Sequence, residues 1–231
     1  MSEATRSLAA EASTGRAKGE PRRLVVLRHG QTESNAKGIW QGQLDHELSD
    51  LGHEQARAAA VALSSLRPSR VVSSDLSRAL VTAREVAAAS GGLDVSIDVR
   101  WREIHAGGWQ GLTADQVRSQ YPQDAERLIS GEDFKRGGHG ESLAEVAVRT
   151  RAALDELIAT MDPGECVVIA THGVTGRCLV AELVGLDQST AWRALGGFGN
   201  CHWAVVEEGT TPMTGTSGWR IAQWNASAQG L

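Results

Sequence analysis

The chain has 231 residues, with 23 Lys and Arg against 28 Asp and Glu and a formal net charge of −5. That length can bury a sizeable core, and the acidic balance excludes a generally basic nucleic-acid binder and disfavours a membrane-surface protein. The cysteines, Cys166, Cys178 and Cys201, are too widely spaced to indicate a zinc site or a disulfide framework; they read as reduced, mostly buried thiols of a cytoplasmic protein.

Residues 1–21 mix Ala, Ser, Gly and both charges, without the apolar core of a secretory signal, and read as a disordered tail. From there to residue 231 we expect one domain, because no repeat, heptad or linker divides residues 22–228. The first apolar run, Leu24–Leu27, reads as a strand. Leu51–Leu66 is Ala-rich, stops before Pro68 and reads as a helix. Val71-Val72 marks a second strand, and Leu76–Ser90 a helix ending at Gly91-Gly92. Ser142–Met161 carries apolar residues at helical spacing and stops before Pro163-Gly164. Cys166–Ala170 is a third strand, followed by a helix over Val174–Val184. Cys201–Glu207 and Gly218–Trp224 read as two more strands joined by a Gly/Thr-rich turn. The continuous apolar runs suit strands covered on both faces. The expected fold is therefore α/β: a three-layer α/β/α sandwich around a mixed, mostly parallel sheet.

Two of these strands end alike, in Arg28-His29-Gly30 and in Thr171-His172-Gly173. Working groups gather beyond the carboxyl ends of strands in such sheets. If the two strands are neighbours, His29 and His172 face one pocket, and a glycine after each permits close approach of the backbone to a ligand. Ser73-Ser74-Asp75 reads as an N-cap region for the helix beginning near Leu76, which puts Arg78 in its first turn, against the helix dipole. Arg78 either pairs with Asp75 or adds positive charge to an anion site. Arg28, Arg78, His29 and His172 together describe a phosphate pocket; a carboxylate would also suit two arginines but leaves the histidines unexplained. Asp45-His46-Glu47 reads as a solvated loop, and neither a metal nor a cofactor site is indicated. A neutral histidine can then serve as nucleophile, and an acid is needed for the leaving oxygen. Glu103, in Trp101-Arg102-Glu103-Ile104, is a candidate: a partly apolar setting and a bound phosphate would both raise its pKa. Spacing alone does not single it out among the chain's acids.

Arg28-His29-Gly30-Gln31-Thr32-Glu33-Ser34-Asn35 resembles the RHGxTxxN signature of the histidine phosphatase (phosphoglycerate mutase-like) family. Ser74–Ala79 with Thr82 and Ala83, Arg102-Glu103-Ile104 with Gly108–Gly111, Gly140-Glu141-Ser142 and Thr171-His172-Gly173 are similar to its other motifs, in the family's order. The resemblance covers residues 22–228. It implies a metal-independent phosphomonoesterase in which His29 becomes a phosphohistidine. Arg28, Arg78 and His172 would hold the phosphoryl oxygens, with Asn35, Gln41, Gly42 and the Gly173 amide close to the substrate. Glu103 would protonate the leaving alcohol and then activate water. The family's mutases carry a longer, cation-rich insertion after the acid and a Tyr where this chain has Ala106. Here only residues 104–139 intervene, with Lys135-Arg136 as their basic pair, so the resemblance favours a phosphatase over a phosphoglycerate mutase. A broad-specificity phosphatase or a non-catalytic phosphate-binding module are the other readings, and a pure binder has no need of the His29–Glu103 pair.

Gln41–Asp45, Gly108–Thr113, Leu195–Asn200 and Trp224–Gln229 are similar to segments of family members that dephosphorylate a glucosylated phosphoglycerate, which implies that kind of small-molecule substrate. Lys37, Gln41, His105, Lys135, Arg136 and His139 are candidates to contact the rest of it. The resemblance also suggests a homodimer, with some of the chain's 7 tryptophans at the subunit contact.

Overall fold

The computed structural model describes residues 20–210 and 217–228. Strand β1 (Arg23–Arg28) is followed by a one-turn helix α1 (Glu33–Ala36) and by α2 (Asp50–Ser64). Strand β2 (Arg70–Ser73) leads into α3 (Ser77–Ala89) and the short β3 (Val95–Ile97). Two small helices, α4 (Ala114–Gln120) and α5 (Pro122–Ser130), precede α6 (Leu143–Ala159). Strand β4 (Cys166–Thr171), α7 (Gly173–Val184), α8 (Gln188–Ala194), β5 (Trp203–Thr210) and β6 (Ser217–Ala226) complete the order.

The sheet has 6 strands in the order β3-β2-β4-β1-β5-β6. β1 and β2 both pair parallel with β4, and β3 pairs parallel with β2. β5 runs antiparallel to β1 and β6. One face, through Val25, Leu27, Val168 and Ala170, packs on Ala56, Ala59, Ala60 and Leu63 of α2 and on Ala83, Val86 and Ala87 of α3. The alanines let both helices lie close to the strands. The other face, through Leu24, Val26, Val167 and Ile169, packs on Ala153 and Leu154 of α6 and Leu179, Val180 and Leu183 of α7. Burial on both sides is why β1 and β4 read as unbroken apolar runs. The molecule is the expected α/β/α sandwich.

Several elements differ from the sequence reading. The helix begun at Leu76 starts at Ser77, and its N-cap, Leu76, makes no side-chain cap. Asp45 caps it from a distant loop: its carboxylate accepts from Ser77 N–H and Oγ, both at 2.8 Å. Asp45-His46-Glu47 is the solvated loop expected, and it has a structural part as well, since His46 Nδ1 also bonds Ser34 Oγ at 2.6 Å. β3, α4, α5 and α8 escaped the apolar pattern because they are short and little buried. Two signals for them were present: the capping box of Thr113 with Gln116, and Pro122 in the first turn of α5. Trp101, Trp109 and Trp203 are buried in the core, while Trp40, Trp192, Trp219 and Trp224 are partly exposed. The tail expected over residues 1–21 falls, from residue 1 to 19, outside the described residues, as does the Gly/Thr-rich turn at 211–216. Among the described residues, no helix is long and apolar enough to cross a membrane.

Candidate active site

Because β1, β2 and β4 are parallel neighbours, their carboxyl ends deliver Arg28 and His29, Ser74, and His172 to one edge of the sheet. Arg28 is in register with Thr171, and the His29 amide donates to the Thr171 carbonyl at 3.0 Å. The two imidazoles are buried, with ring centroids 5.1 Å apart and planes at 61°. His29 Nδ1 lies 2.7 Å from the Gly30 carbonyl, an acceptor only, so Nδ1 carries the proton and Nε2 keeps its lone pair. Burial, then the positive charges of Arg78 and Arg28, hold the His29 pKa well below the ordinary imidazole value. Burial and Arg78 do the same to His172. Both rings are therefore neutral at pH 7.

The glycines after these histidines serve different purposes. A Cβ on Gly30 would stand 2.4 Å from the Gly52 carbonyl oxygen, so Gly30 lets the loop touch the first turn of α2. That close approach is to protein backbone. Gly173 starts α7 beside Arg28, whose Nε would lie 3.6 Å from its Cβ.

Arg78 is 1% exposed, and it does not pair with Asp75, which binds Arg102 instead. Its Nη1 and Nη2 donate to the carbonyls of Leu44 at 2.7 Å and Gly42 at 2.8 Å. Gly42 can offer that carbonyl because its φ of 52° and the Gln110 side chain against it exclude a Cβ. Burial lowers the Arg78 pKa to about 10, which leaves it charged at neutral pH. Arg28 Nη1 donates to the Phe198 carbonyl. The nitrogens Arg28 Nε, Arg78 Nε and His172 Nδ1 are buried without a hydrogen-bond partner among the described residues. Unsatisfied nitrogens on three groups that neighbour His29 are what an oxyanion site requires.

Glu103 faces them. Its Oε1 accepts from the amides of Ile104 at 2.9 Å and Thr175 at 3.0 Å and lies 3.1 Å from Thr175 Oγ1; its Oε2 accepts from the Val174 amide at 3.1 Å. The setting is a helix N-terminus rich in donors, not the partly apolar one expected. Glu141 lies behind, ion-paired to Arg149, which also donates to the Glu103 carbonyl and so fixes the acid's backbone.

These groups line a cavity of about 280 Å³. Arg28, His29, Asn35, Gln41, Gly42, Arg78, Glu103 and Gly173 are on its wall, and His172 is buried beside His29. Among the described residues, Glu103 is the only carboxylate on that wall. Asn35 Oδ1 is held by Thr32 and Asn200, and Gln41 Oε1 by Thr32, so each amide's NH₂ is the end left for a ligand. Of the six loop residues expected to meet the rest of a substrate, only Gln41 reaches the cavity. Lys37 pairs with Glu33, and Lys135 with Glu145. Arg136 is buried against Phe134 and Trp109, and His105 stacks on His139. Sequence reasoning missed Arg177, which lines the cavity, Ser74, whose Oγ is 2.9 Å from His172 Nε2, and Thr82, which ties the Gly30 amide to the Arg78 carbonyl. Ser74 had been read as part of an N-cap region and Thr82 only as a member of a family motif, neither with a role in the site. Among the described residues, no group of His, Cys, Asp and Glu is placed to hold a metal.

Comparison with known proteins agrees with this geometry. The model of the histidine phosphatase superfamily (branch 1) matches residues 24–227. The chain is 45% identical over 221 residues to glucosyl-3-phosphoglycerate phosphatase of Mycolicibacterium vanbaalenii, covering 90% of this chain and 96% of that one. It is 40% identical over 158 residues to phosphoglycerate mutase-like protein 4 of Arabidopsis thaliana, covering 68% of each. Its fold is similar to that of a mycobacterial glucosyl-3-phosphoglycerate phosphatase solved with VO3, with a TM-score of 0.81, 42% identity, and coverage of 89% of this chain and 100% of that one.

Proposed function

The chain belongs to branch 1 of the histidine phosphatase superfamily and is a phosphoric monoester hydrolase; from that premise we propose that it releases phosphate from glucosyl-3-phosphoglycerate through a phosphohistidine on His29. The observation that carries the mechanism is the His29 imidazole, neutral and tied at Nδ1 to the Gly30 carbonyl, with Nε2 left to attack. Arg28, Arg78 and His172 hold the phosphoryl oxygens, aided by Asn35 and the Gly173 amide. Nε2 bonds to phosphorus as the ester P–O bond breaks, and Glu103 gives its proton to the departing alkoxide. Glu103, now a carboxylate, takes a proton from water, which attacks the phosphohistidine. Inorganic phosphate leaves and His29 is restored. Positive charge fixed in the pocket meets the charge spread over the transferring group, so the cycle requires no metal.

Hydrolysis is favoured over mutase chemistry because the 104–139 segment brings no cation to the cavity. Lys135 is engaged by Glu145, and Arg136 is sealed beneath aromatic rings. The substrate is supported by the 45% identity to an enzyme named for it. We read the enzyme as cytoplasmic from its buried thiols, and as a homodimer by family resemblance. Chase of a labelled phosphate ester into protein tests the mechanism. An acid-labile, base-stable label on His29, absent together with turnover in His29→Ala, is expected. A label on His172 or on a serine would overturn it. A phosphate-release screen over sugar-, glycerate- and nucleotide-phosphates, with glucosyl-3-phosphoglycerate giving the highest kcat/KM, tests the substrate.

A further inference from the structure

Arg28 and Arg78 are not the only guanidinium groups on the cavity wall, for Arg177 lines it as well. Arg177 stands four residues after Gly173 on α7, so the two share a helix face. Helical side chains lean toward the N-terminus of their helix, which carries Arg177 back over Gly173 and toward Arg28. Its position is fixed: the guanidinium lies 3.5 Å from the centre of the Trp192 ring, and Nη1 donates to the Leu195 carbonyl at 3.2 Å. Its Nε is buried with no hydrogen-bond partner among the described residues.

Most arginines of this protein that are fixed in place meet a carboxylate, as Arg22 meets Glu208, Arg70 meets Glu165 and Arg149 meets Glu141. Arg177 meets an aromatic face and a carbonyl instead, and burial lowers its pKa from the ordinary value. Glu103 shares the wall and favours the charged form from a distance, but no carboxylate is in ion-pair contact with Arg177, and a cation so held in a partly desolvated wall costs free energy unless a ligand supplies one. A second phosphate would call for more positive charge there, and Arg136, 5.8 Å from the centre of the Trp192 ring, is 1% exposed and off the cavity wall. One fork with one net charge suits one carboxylate.

We propose that Arg177 binds a carboxylate of the substrate, so that the enzyme selects phosphate monoesters that also carry a carboxylate. This rests on the phosphatase reading above and deepens it. In glucosyl-3-phosphoglycerate the group so bound is the glycerate carboxylate. Arg177 also offsets the repulsion that Glu103 would exert on it.

The test compares kcat/KM for 3-phosphoglycerate and glycerol 3-phosphate, which differ in that carboxylate, by phosphate release from the full chain. Arg177→Met, which keeps an apolar contact with Trp192, should lower the preference for 3-phosphoglycerate by about 10–100-fold, the usual worth of hydrogen bonds to a charged group. Arg177→Lys should retain part of it. A preference unchanged in Arg177→Met, whether both rates hold or both fall together, would overturn the proposal and leave Arg177 a packing residue. So would a wild type that does not discriminate between the two esters. Turnover of glucosyl-3-phosphoglycerate by the wild type, measured first, judges the substrate reading separately.

Discussion

His29 and Glu103 have opposite tasks, and each can be isolated by a measurement. His29 must be neutral to attack, and its pKa is held well below the ordinary imidazole value by burial and by Arg78 and Arg28. The acid limb of kcat/KM, which reports the free enzyme, should therefore lie well below pH 6.5. Arg78→Gln removes the larger of the two repelling charges, so alongside its loss of rate the limb should move up toward 6.5. A limb that stays in place would show that Arg78 does not set the nucleophile's protonation. Glu103 matters most when the leaving group is poor. An alkyl phosphate leaves as a basic alkoxide and needs a proton; p-nitrophenyl phosphate leaves as a stabilised phenolate. Glu103→Gln should slow phosphorylation of His29 by an alkyl ester by about 10²–10⁴-fold and spare the nitrophenolate burst. Rapid-quench kinetics on both substrates decide it, and equal slowing would make Glu103 a positioning residue. Glutamates of the neighbouring motifs are poorly placed to act instead: Glu33 is exposed and Glu141 is bound to Arg149.

At the scale of elements, the site is held by helix N-termini that are completed from elsewhere in the chain. The start of α7 is capped by Glu103, and the start of α3, which carries Arg78, is capped by Asp45. Asp45 adjoins Leu44 and follows Gly42, whose carbonyls grip the Arg78 guanidinium. One loop therefore stabilises the helix and aims the cation. Asp45→Ala should cost about 1 kcal/mol, as loss of an N-cap usually does, read as a lower urea midpoint with the slope unchanged. It should also lower kcat/KM through the loosened grip on Arg78. An unaltered midpoint would mean that the contact contributes nothing to stability. Backbone crowding sets a second constraint. A Cβ on Gly52 would stand 2.0 Å from the Gln31 carbonyl oxygen, so the nucleophile loop and α2 can meet only through glycine.

For the molecule as a whole, buried neutral histidines tie stability to pH. The unfolded chain's imidazoles protonate near pH 6.5, whereas folded His29 and His172 resist protonation. Below that pH the unfolded state binds more protons, so stability present above 6.5 is lost as pH falls, by up to about 1.4 kcal/mol per pH unit for each histidine. Urea midpoints should drop between pH 7.5 and 5.5, and His172→Asn should flatten the decline; a flat wild-type profile would contradict the burial of these rings. Much of this architecture was legible in the chain. The runs at Leu24–Leu27 and Cys166–Ala170 announced doubly covered strands, because apolar residues at consecutive positions can be buried only when both faces of a sheet are packed. The two His-Gly pairs after those strands and the early arginine of α3 marked the anion site, because a strand's end and a helix's start are local features. What local pattern does not carry is which distant groups meet. That Asp45 and not Ser74 caps α3, that Ser74 turns to His172, that Arg78 ignores Asp75, and that Arg177 reaches the cavity while Lys135 and Arg136 do not, were settled only when the parallel β2-β4-β1 arrangement brought separate loops to one edge. Cavities and hydrogen-bond partners are properties of contacts across the sheet, and spacing along the chain holds no record of them.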